Sequence, residues 1–270
     1  MIIETDIGRD PDDFFAIAWL LENNFKIDAI TITPGDPDQI AVARLLCKLY
    51  GVDIPIGVPN LTRDKRSSGG VHYELLDKYK MPKTATADGI GREILSSFQA
   101  GDIIVLGPCT NIAKWLDEKN PYITRATMQG GFLPTNDLPK FAGMTSCGTF
   151  NLNGDRKASE IFLSYPVAGR RQMCGKNVCH SVILNESKAH LFTGFLGELA
   201  KRYTESGKTK AMHDLVAVVC HNMCNVGQWV RGKTYYAGNA TWSTRLYENG
   251  DYILKNLWHD DFWLLASGMI

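Results

Sequence analysis

The chain opens MIIETDIGRDPDDFFAIA, residues 1–18, and the reading of this stretch decides the rest. Met1 to Thr5 is short, uninterrupted and rich in β-branched residues, the pattern of a buried strand, while Asp13 to Glu22 repeats apolar residues at helical spacing. A strand therefore runs into a helix through one loop that carries Asp6, Asp10, Asp12 and Asp13 with Gly8 and Pro11. Four carboxylates in eight residues repel one another unless a cation or several backbone N–H groups compensate. In an open α/β sheet such a loop lies at the carboxyl end of a strand, where ligands bind. Two readings stand at this point. One is a hard cation on oxygen ligands; the other is helix capping by Asp12 or Asp13 beside an Asp10-Pro11 turn, which accounts for one or two of the four residues.

Outward from this stretch the same alternation repeats. Lys26 to Thr33 reads as a strand, Pro34-Gly35-Asp36-Pro37 as a turn, Asp38 to Gly51 as a helix and Ile54 to Val58 as a strand. Pro59 to Thr86 is polar and weakly periodic, which predicts a long surface loop or flap; a helix near Gly89 to Gln99 and a strand at Asp102 to Leu106 follow. That strand ends in Gly107-Pro108-Cys109-Thr110-Asn111 before a helix at Ile112 to Asp117, and a further strand, Ile123 to Met128, ends at Gln129-Gly130-Gly131. Phe132 to Gly148 is irregular, a helix is expected at about Arg156 to Leu163, and one helix at Glu186 to Glu205. From Lys233 the tail alternates around Asn249-Gly250, the pattern of an antiparallel ribbon, its Trp and Tyr side chains packing on or covering the sheet edge. The expected architecture is α/β, a doubly wound, mainly parallel sheet with helices on both faces, a Rossmann-like core in a single domain over residues 1–270.

Composition narrows the function. Lys plus Arg and Asp plus Glu each total 29, so the net charge of zero gives no basic surface for nucleic acid or an anionic membrane, and the ligand is expected to be a small molecule. No apolar run is long enough for a bilayer, and no signal-peptide pattern opens the chain. Seven scattered cysteines read as free thiols of a reducing cytoplasm, and their spacing with His180 or His221 matches no zinc knuckle. Asn151 and Asn153 beside Gly154 are either turn formers or amides that hold a polyhydroxylated ligand. Asp214, after His213 at the start of the apolar run Leu215 to Cys220, is either a helix cap or a ligand completing the acidic loop.

These motifs together resemble the inosine-uridine-preferring nucleoside hydrolases, calcium-dependent N-ribohydrolases that split a nucleoside into ribose and free base. The resemblance rests on Glu4-Thr5-Asp6-Ile7-Gly8 with Asp12-Asp13 and Ala16, on Thr31 to Gly35, Gly107-Pro108-Cys109-Thr110-Asn111 and Gln129-Gly130-Gly131, and on Phe150-Asn151 with Asp155 and His213-Asp214. Six weak matches in family order across most of the chain are specific. The resemblance implies calcium held by Asp6, Asp13, Asp214 and the backbone carbonyl of Thr110, with Asp6 also the general base. It further implies Asp12 and Asn151 on ribose hydroxyls, Asp36, Asn136 and Thr149 at other substrate positions, and His213 where some members have a leaving-group acid. The implied product is a cytoplasmic homodimer or homotetramer with no nucleic-acid or membrane partner.

The chain departs from the pattern in five places. Two extra residues precede the Asp12-Asp13 pair, Glu4 replaces the first Asp, Asp36 stands where an Asn usually follows the glycine, Thr149 replaces a Glu, and no His-Gly flap motif lies near His72. Two other functions compete: a magnesium-dependent phosphohydrolase of the haloacid dehalogenase type, which would need an Asp nucleophile where Glu4 stands, and a ribosyl-binding protein without catalysis.

Overall fold

The computed structural model describes residues 1–135 and 137–268. It divides into two compact units, Met1–Ala126 with Gly154–Gly169, and Thr127–Asn153 with Arg170–Ile270.

The first unit follows the expected alternation: β1 (Ile2–Thr5), α1 (Pro11–Glu22), β2 (Ala29–Ile32), α2 (Pro37–Tyr50), β3 (Ile56–Val58), α3 (Gly70–Lys78), β4 (Gly89–Ile90), α4 (Gly91–Leu95), β5 (Ala100–Val105), α5 (Thr110–Lys119) and β6 (Tyr122–Gln129), which continues beyond the unit, then α6 (Arg156–Ser164). Strand pairing is parallel throughout the order β5-β1-β2-β3-β4, with Ile3 opposite Ile30 and Ile104. Successive strands thus step away from β1 in one direction to β4, and β5 returns on its other side. That reversal is the switch point of a doubly wound sheet, and it puts the loops after β1 and β5 side by side. Every residue of β1 is buried, as is α1 from Asp12 to Leu20. The continuous apolar run of α1 from Phe14 to Leu20 follows from having cover on all sides.

Three predicted spans change. The expected loop from Pro59 to Thr86 contains α3, which turns His72, Leu75 and Leu76 inward, while Gly69 and Gly70 at its start hid it from a periodicity reading. The helix expected at Gly89 to Gln99 is the short strand β4 followed by one turn of α4.

In the second unit the helix expected at Glu186 to Glu205 is two, Glu186–Ala189 and α7 (Gly194–Thr204), because Gly194 takes φ +57 and Thr193 is extended. Then come α8 (His213–Asn222) and α9 (His259–Ala266). Besides the end of β6, the unit's strands in the large sheet are β7 (Arg170–Cys174), β8 (Gly227–Gly238), β9 (Thr241–Leu246) and β10 (Asp251–Leu257), ordered β9-β8-β10-β7, and Ile183–Leu184 pairs with Lys210–Ala211 in a separate two-stranded sheet. The ribbon read from the tail is present, with β8 antiparallel to both β9 and β10. Its tight turn lies at Asn239-Ala240, φ +49 and +55, and not at Asn249-Gly250, which joins two strands that flank β8 without pairing. Trp242 of β9 is buried, and its indole N–H donates to Asn153 Oδ1 at 2.7 Å.

Candidate active site

The carboxyl ends of β1 and β5 meet at a contact that only glycine permits. A Cβ on Gly107 would stand 2.5 Å from the amide nitrogen of Asp6 and 2.9 Å from its Oδ1. Beyond it, Thr110 begins α5 and donates its hydroxyl to Asp155 Oδ2 at 2.9 Å, while Asp155 Oδ1 caps α6 through Ala158 N. In the acidic loop the N-cap position of α1 falls to Asp10, with Pro11 at the first helical position, so Asp12 and Asp13 sit inside the first turn and are buried. Asp13 accepts a short hydrogen bond from Thr5 Oγ1, which in turn accepts the Ile7 N–H at 3.0 Å. Helix capping does not explain the pair. Carboxylate oxygens of Asp12 and Asp13 come within 4.8 Å of one another. Burial first, and then the negative charge of Asp12, raise the Asp6 carboxyl to about 7.

Glu4 is the anchor of this corner, and sequence reading missed its role. Fully buried in β1, it accepts Thr31 Oγ1 at 3.0 Å, Thr33 Oγ1 at 2.6 Å, Asn111 Nδ2 at 2.8 Å and the backbone N–H groups of Asn111 and Ile112 at 3.4 and 2.9 Å. One carboxylate thus joins β1, the end of β2 and the first turn of α5, where backbone N–H groups lack helical partners. Burial raises the Glu4 pKa, and the hydrogen bonds from Thr33, Asn111, Ile112 and Thr31 oppose the rise. The available signal was a charged residue inside an apolar strand, which must find partners when buried.

A strap from Arg63 to Tyr73 closes the other side of the loop. Asp36, fully buried at the N-cap of α2, pairs with Arg63 Nε at 2.5 Å and accepts the Ser67 hydroxyl. Asp38 accepts Ser67 N, Ser68 N and the Tyr73 hydroxyl at 2.9, 2.8 and 2.7 Å. Gln39 donates to the Asp6 carbonyl at 3.0 Å and accepts the Gly35 and Asp36 amides. Gly69 N donates to the Gly8 carbonyl at 2.7 Å, and Gly8 itself has φ +97, where a Cβ would stand 2.6 Å from Ser68 Oγ. Asp36, named from sequence as a substrate contact, therefore has its carboxylate engaged by the strap.

In the second unit Asn151 is buried and donates to the Gln129 carbonyl and Oε1, both at 2.9 Å. Asn153 holds the ribbon through Ala240 O and Trp242. Thr149 is buried, and its hydroxyl has no hydrogen-bond partner among the described residues. Asp214 is buried in the first turn of α8, next to His213. The His213 ring lies 4.6 Å from that of His180, which meets Phe141 edge-on at 5.2 Å. Burial, followed by the charges of His213, Lys140 and Lys176, lowers His180 to about 4. Asn136 lies outside the described residues.

The donor set of the acidic loop fits a hard cation. Asp6, Asp12 and Asp13 are buried oxygen donors, and a cation would offset both the burial and the Asp12 charge that raise the Asp6 pKa. Such a corner can hold a diol and take a proton from water.

The family described as inosine-uridine preferring nucleoside hydrolase matches residues 1–251. An uncharacterized protein of Aquifex aeolicus is 24% identical over 243 residues, which cover 82% of this chain and 81% of that one. Among solved structures, a plant nucleoside hydrolase superposes with a TM-score of 0.71 at 17% identity over 98% of this chain and 96% of that one. An inosine-uridine preferring nucleoside hydrolase from Bacillus anthracis gives 0.69 at 15% identity over 100% and 99%. A purine-preferring ribonucleoside hydrolase from Gardnerella vaginalis gives the same figures. At such identities the likeness to solved structures is one of fold, an α/β architecture with a large, mostly parallel sheet.

Proposed function

The chain belongs to the inosine-uridine preferring nucleoside hydrolase family, hydrolases acting on N-glycosyl bonds, and from that premise we propose that it cleaves a ribonucleoside to ribose and free base with calcium at the acidic loop. The observation that supports this reading best is the buried set of Asp6, Asp12 and Asp13, locked at the switch point by Glu4 and Gln39. Asp6, Asp13, Asp214 and the Thr110 carbonyl would hold the ion, all hard oxygen donors. When bound, calcium would acidify the attacking water and orient the ribose diol.

The remaining chemistry belongs to side chains. Leaving of the base builds an oxocarbenium-like ribose, which neighbouring carboxylates stabilise. Water attacks C1′ with inversion, and Asp6 takes its proton. Asp12 and Asn151 hold ribose hydroxyls, while His213 donates a proton to the departing base. Thr149 faces the 5′ end in this scheme. Being neutral, it lacks the charge by which a Glu would repel a 5′ anion. Asp36 and Asn136 complete the proposed substrate contacts, with Asp36 acting through the strap it holds.

A panel of inosine, uridine, adenosine, cytidine, a 5′-mononucleotide and an aryl phosphate, assayed for ribose and for phosphate, tests the reading. Ribose or ribose phosphate with free base is expected. Phosphate release without base release would support a phosphohydrolase, and saturable nucleoside binding with no release would support a binding protein. We further propose that the protein works in the cytoplasm as a homodimer or homotetramer. No helix among the described residues is long and apolar enough to cross a membrane.

A further inference from the structure

A cavity lies in the first unit, toward the β4 end of its sheet. It measures about 480 Å³ and is walled by Ile40, Val58 and Leu61, with Asn60, Arg63, Thr84 and Thr86 as its polar side chains. None of the acidic-loop carboxylates lines it. The carboxyl end of β3, two strands from β1, contributes Val58 to it, and Arg63 of the strap lines it while paired to Asp36, which does not line it. Its volume is in the range of small-ligand sites, and a strand's carboxyl end is where an open sheet binds ligands.

We propose that this cavity binds a neutral, planar heterocycle of nucleobase size that presents adjacent acceptor atoms, an oxopurine above all. Arg63 carries the selection. Its Nε is committed to Asp36, which leaves the planar guanidinium with further N–H donors in a fixed fork that matches a ring carbonyl beside a ring nitrogen. Charge balance favours a neutral ligand over a full anion. Arg63 Nε donates to Asp36 Oδ1 at 2.5 Å, so the guanidinium has a counter-charge in place; that pair, the Ser67 hydroxyl and the Lys65 charge hold the Asp36 carboxyl below the usual range against the upward push of burial. A phosphate would find no surplus positive charge among the lining residues, whereas a neutral acceptor pair needs none. The apolar wall supplies the rest. Leu61 is 55% exposed at the rim, a large side chain that a flat ring would cover. The inference leans on the hydrolase reading only in that free base would be the ligand at hand.

Calorimetric titration with hypoxanthine, inorganic phosphate and ribose tests it, with ribose release followed in parallel on inosine. The proteins are wild type, Arg63→Gln, Ala87→Trp, which fills the cavity from its wall without touching the Asp36 pair, and Asp12→Ala, each checked by its melting curve. The expected result is one saturable hypoxanthine component that weakens at least tenfold in Arg63→Gln and Ala87→Trp, persists in Asp12→Ala, and is not displaced by phosphate. Loss of that component in Asp12→Ala alone would place the base at the acidic loop and overturn the proposal, as would the absence of any saturable component or equal competition by phosphate. Failure of ribose release with the binding pattern intact would undo the hydrolase reading and leave the cavity assignment standing.

Discussion

Replacing Glu4 by Gln tests how the corner is built. The side chain keeps its shape, yet five donors now face one oxygen and one amide group in place of a carboxylate. Thr31, Thr33 and the Asn111 amide can rotate to accept, but the backbone N–H groups of Asn111 and Ile112 cannot. If the new amide nitrogen takes the Oε2 position it opposes Ile112 N, formerly at 2.9 Å; in the Oε1 position it opposes Asn111 N. Either orientation strands one buried donor, and the surviving bonds lose their charge assistance, so the expected loss is about 2–4 kcal/mol. For a chain of this size the melting temperature should fall by on the order of 5–15 °C. Urea unfolding followed by circular dichroism at pH 7, with melting as a second readout, measures the change. A variant within about 0.5 kcal/mol of wild type would refute the reasoning, because it would mean that Glu4 is protonated and already presents a donor where Gln does.

Three further outcomes are expected. Asp6→Asn should lower kcat by about 10²–10⁴-fold with little change in melting temperature, since it removes a proton acceptor and keeps the volume, and ribose release near the wild-type rate would deny Asp6 its role. Gly107→Ala should destabilise the fold by roughly 1–3 kcal/mol and reduce ribose release, because a Cβ 2.5 Å from Asp6 N must push β1 and β5 apart; unchanged melting and activity would show that the contact can relax. His72 is fully buried, and burial lowers its pKa to about 4. Between about 6.5 and 4 the unfolded chain binds the proton that the folded chain refuses, so the contribution is whole above pH 6.5 and lost as pH falls, about 3 kcal/mol in all. Unfolding free energies at pH 7 and 4.5 should differ less in His72→Phe than in wild type, and equal differences would count against a buried neutral His72.

The fold around the candidate site was legible in the sequence where its parts are contiguous. Met1 to Leu20 read as strand, acidic loop and helix because an uninterrupted β-branched run changes to helical spacing across four carboxylates, and the crowding of those carboxylates raises a cation as one of two readings without reference to any distant residue. The same holds for Gly107 to Asn111, a polar loop between a strand and a helix. What holds these loops in place was not legible. The partners of Glu4 are 27 to 108 residues away in sequence, and those of Asp38 in the strap are about thirty. No local period encodes such pairings. The boundaries that moved share a cause, glycine at a helix start: Gly69 and Gly70 concealed α3 within a polar stretch, and Gly194 splits a run whose apolar spacing is continuous. The hairpin turn went to Asn239-Ala240 because strand pairing, not the dipeptide alone, selects which candidate turn closes.

Calcium at the acidic loop is the central claim, and the most direct measurement is ribose release from inosine by chelator-stripped protein during calcium titration, with bound calcium counted in the same samples. Turnover should be absent in the stripped protein and return in proportion to one ion per chain, with Asp214→Ala needing far more calcium to reach the same occupancy. Full turnover in protein shown to hold no metal, or recovery unrelated to calcium bound, would contradict it.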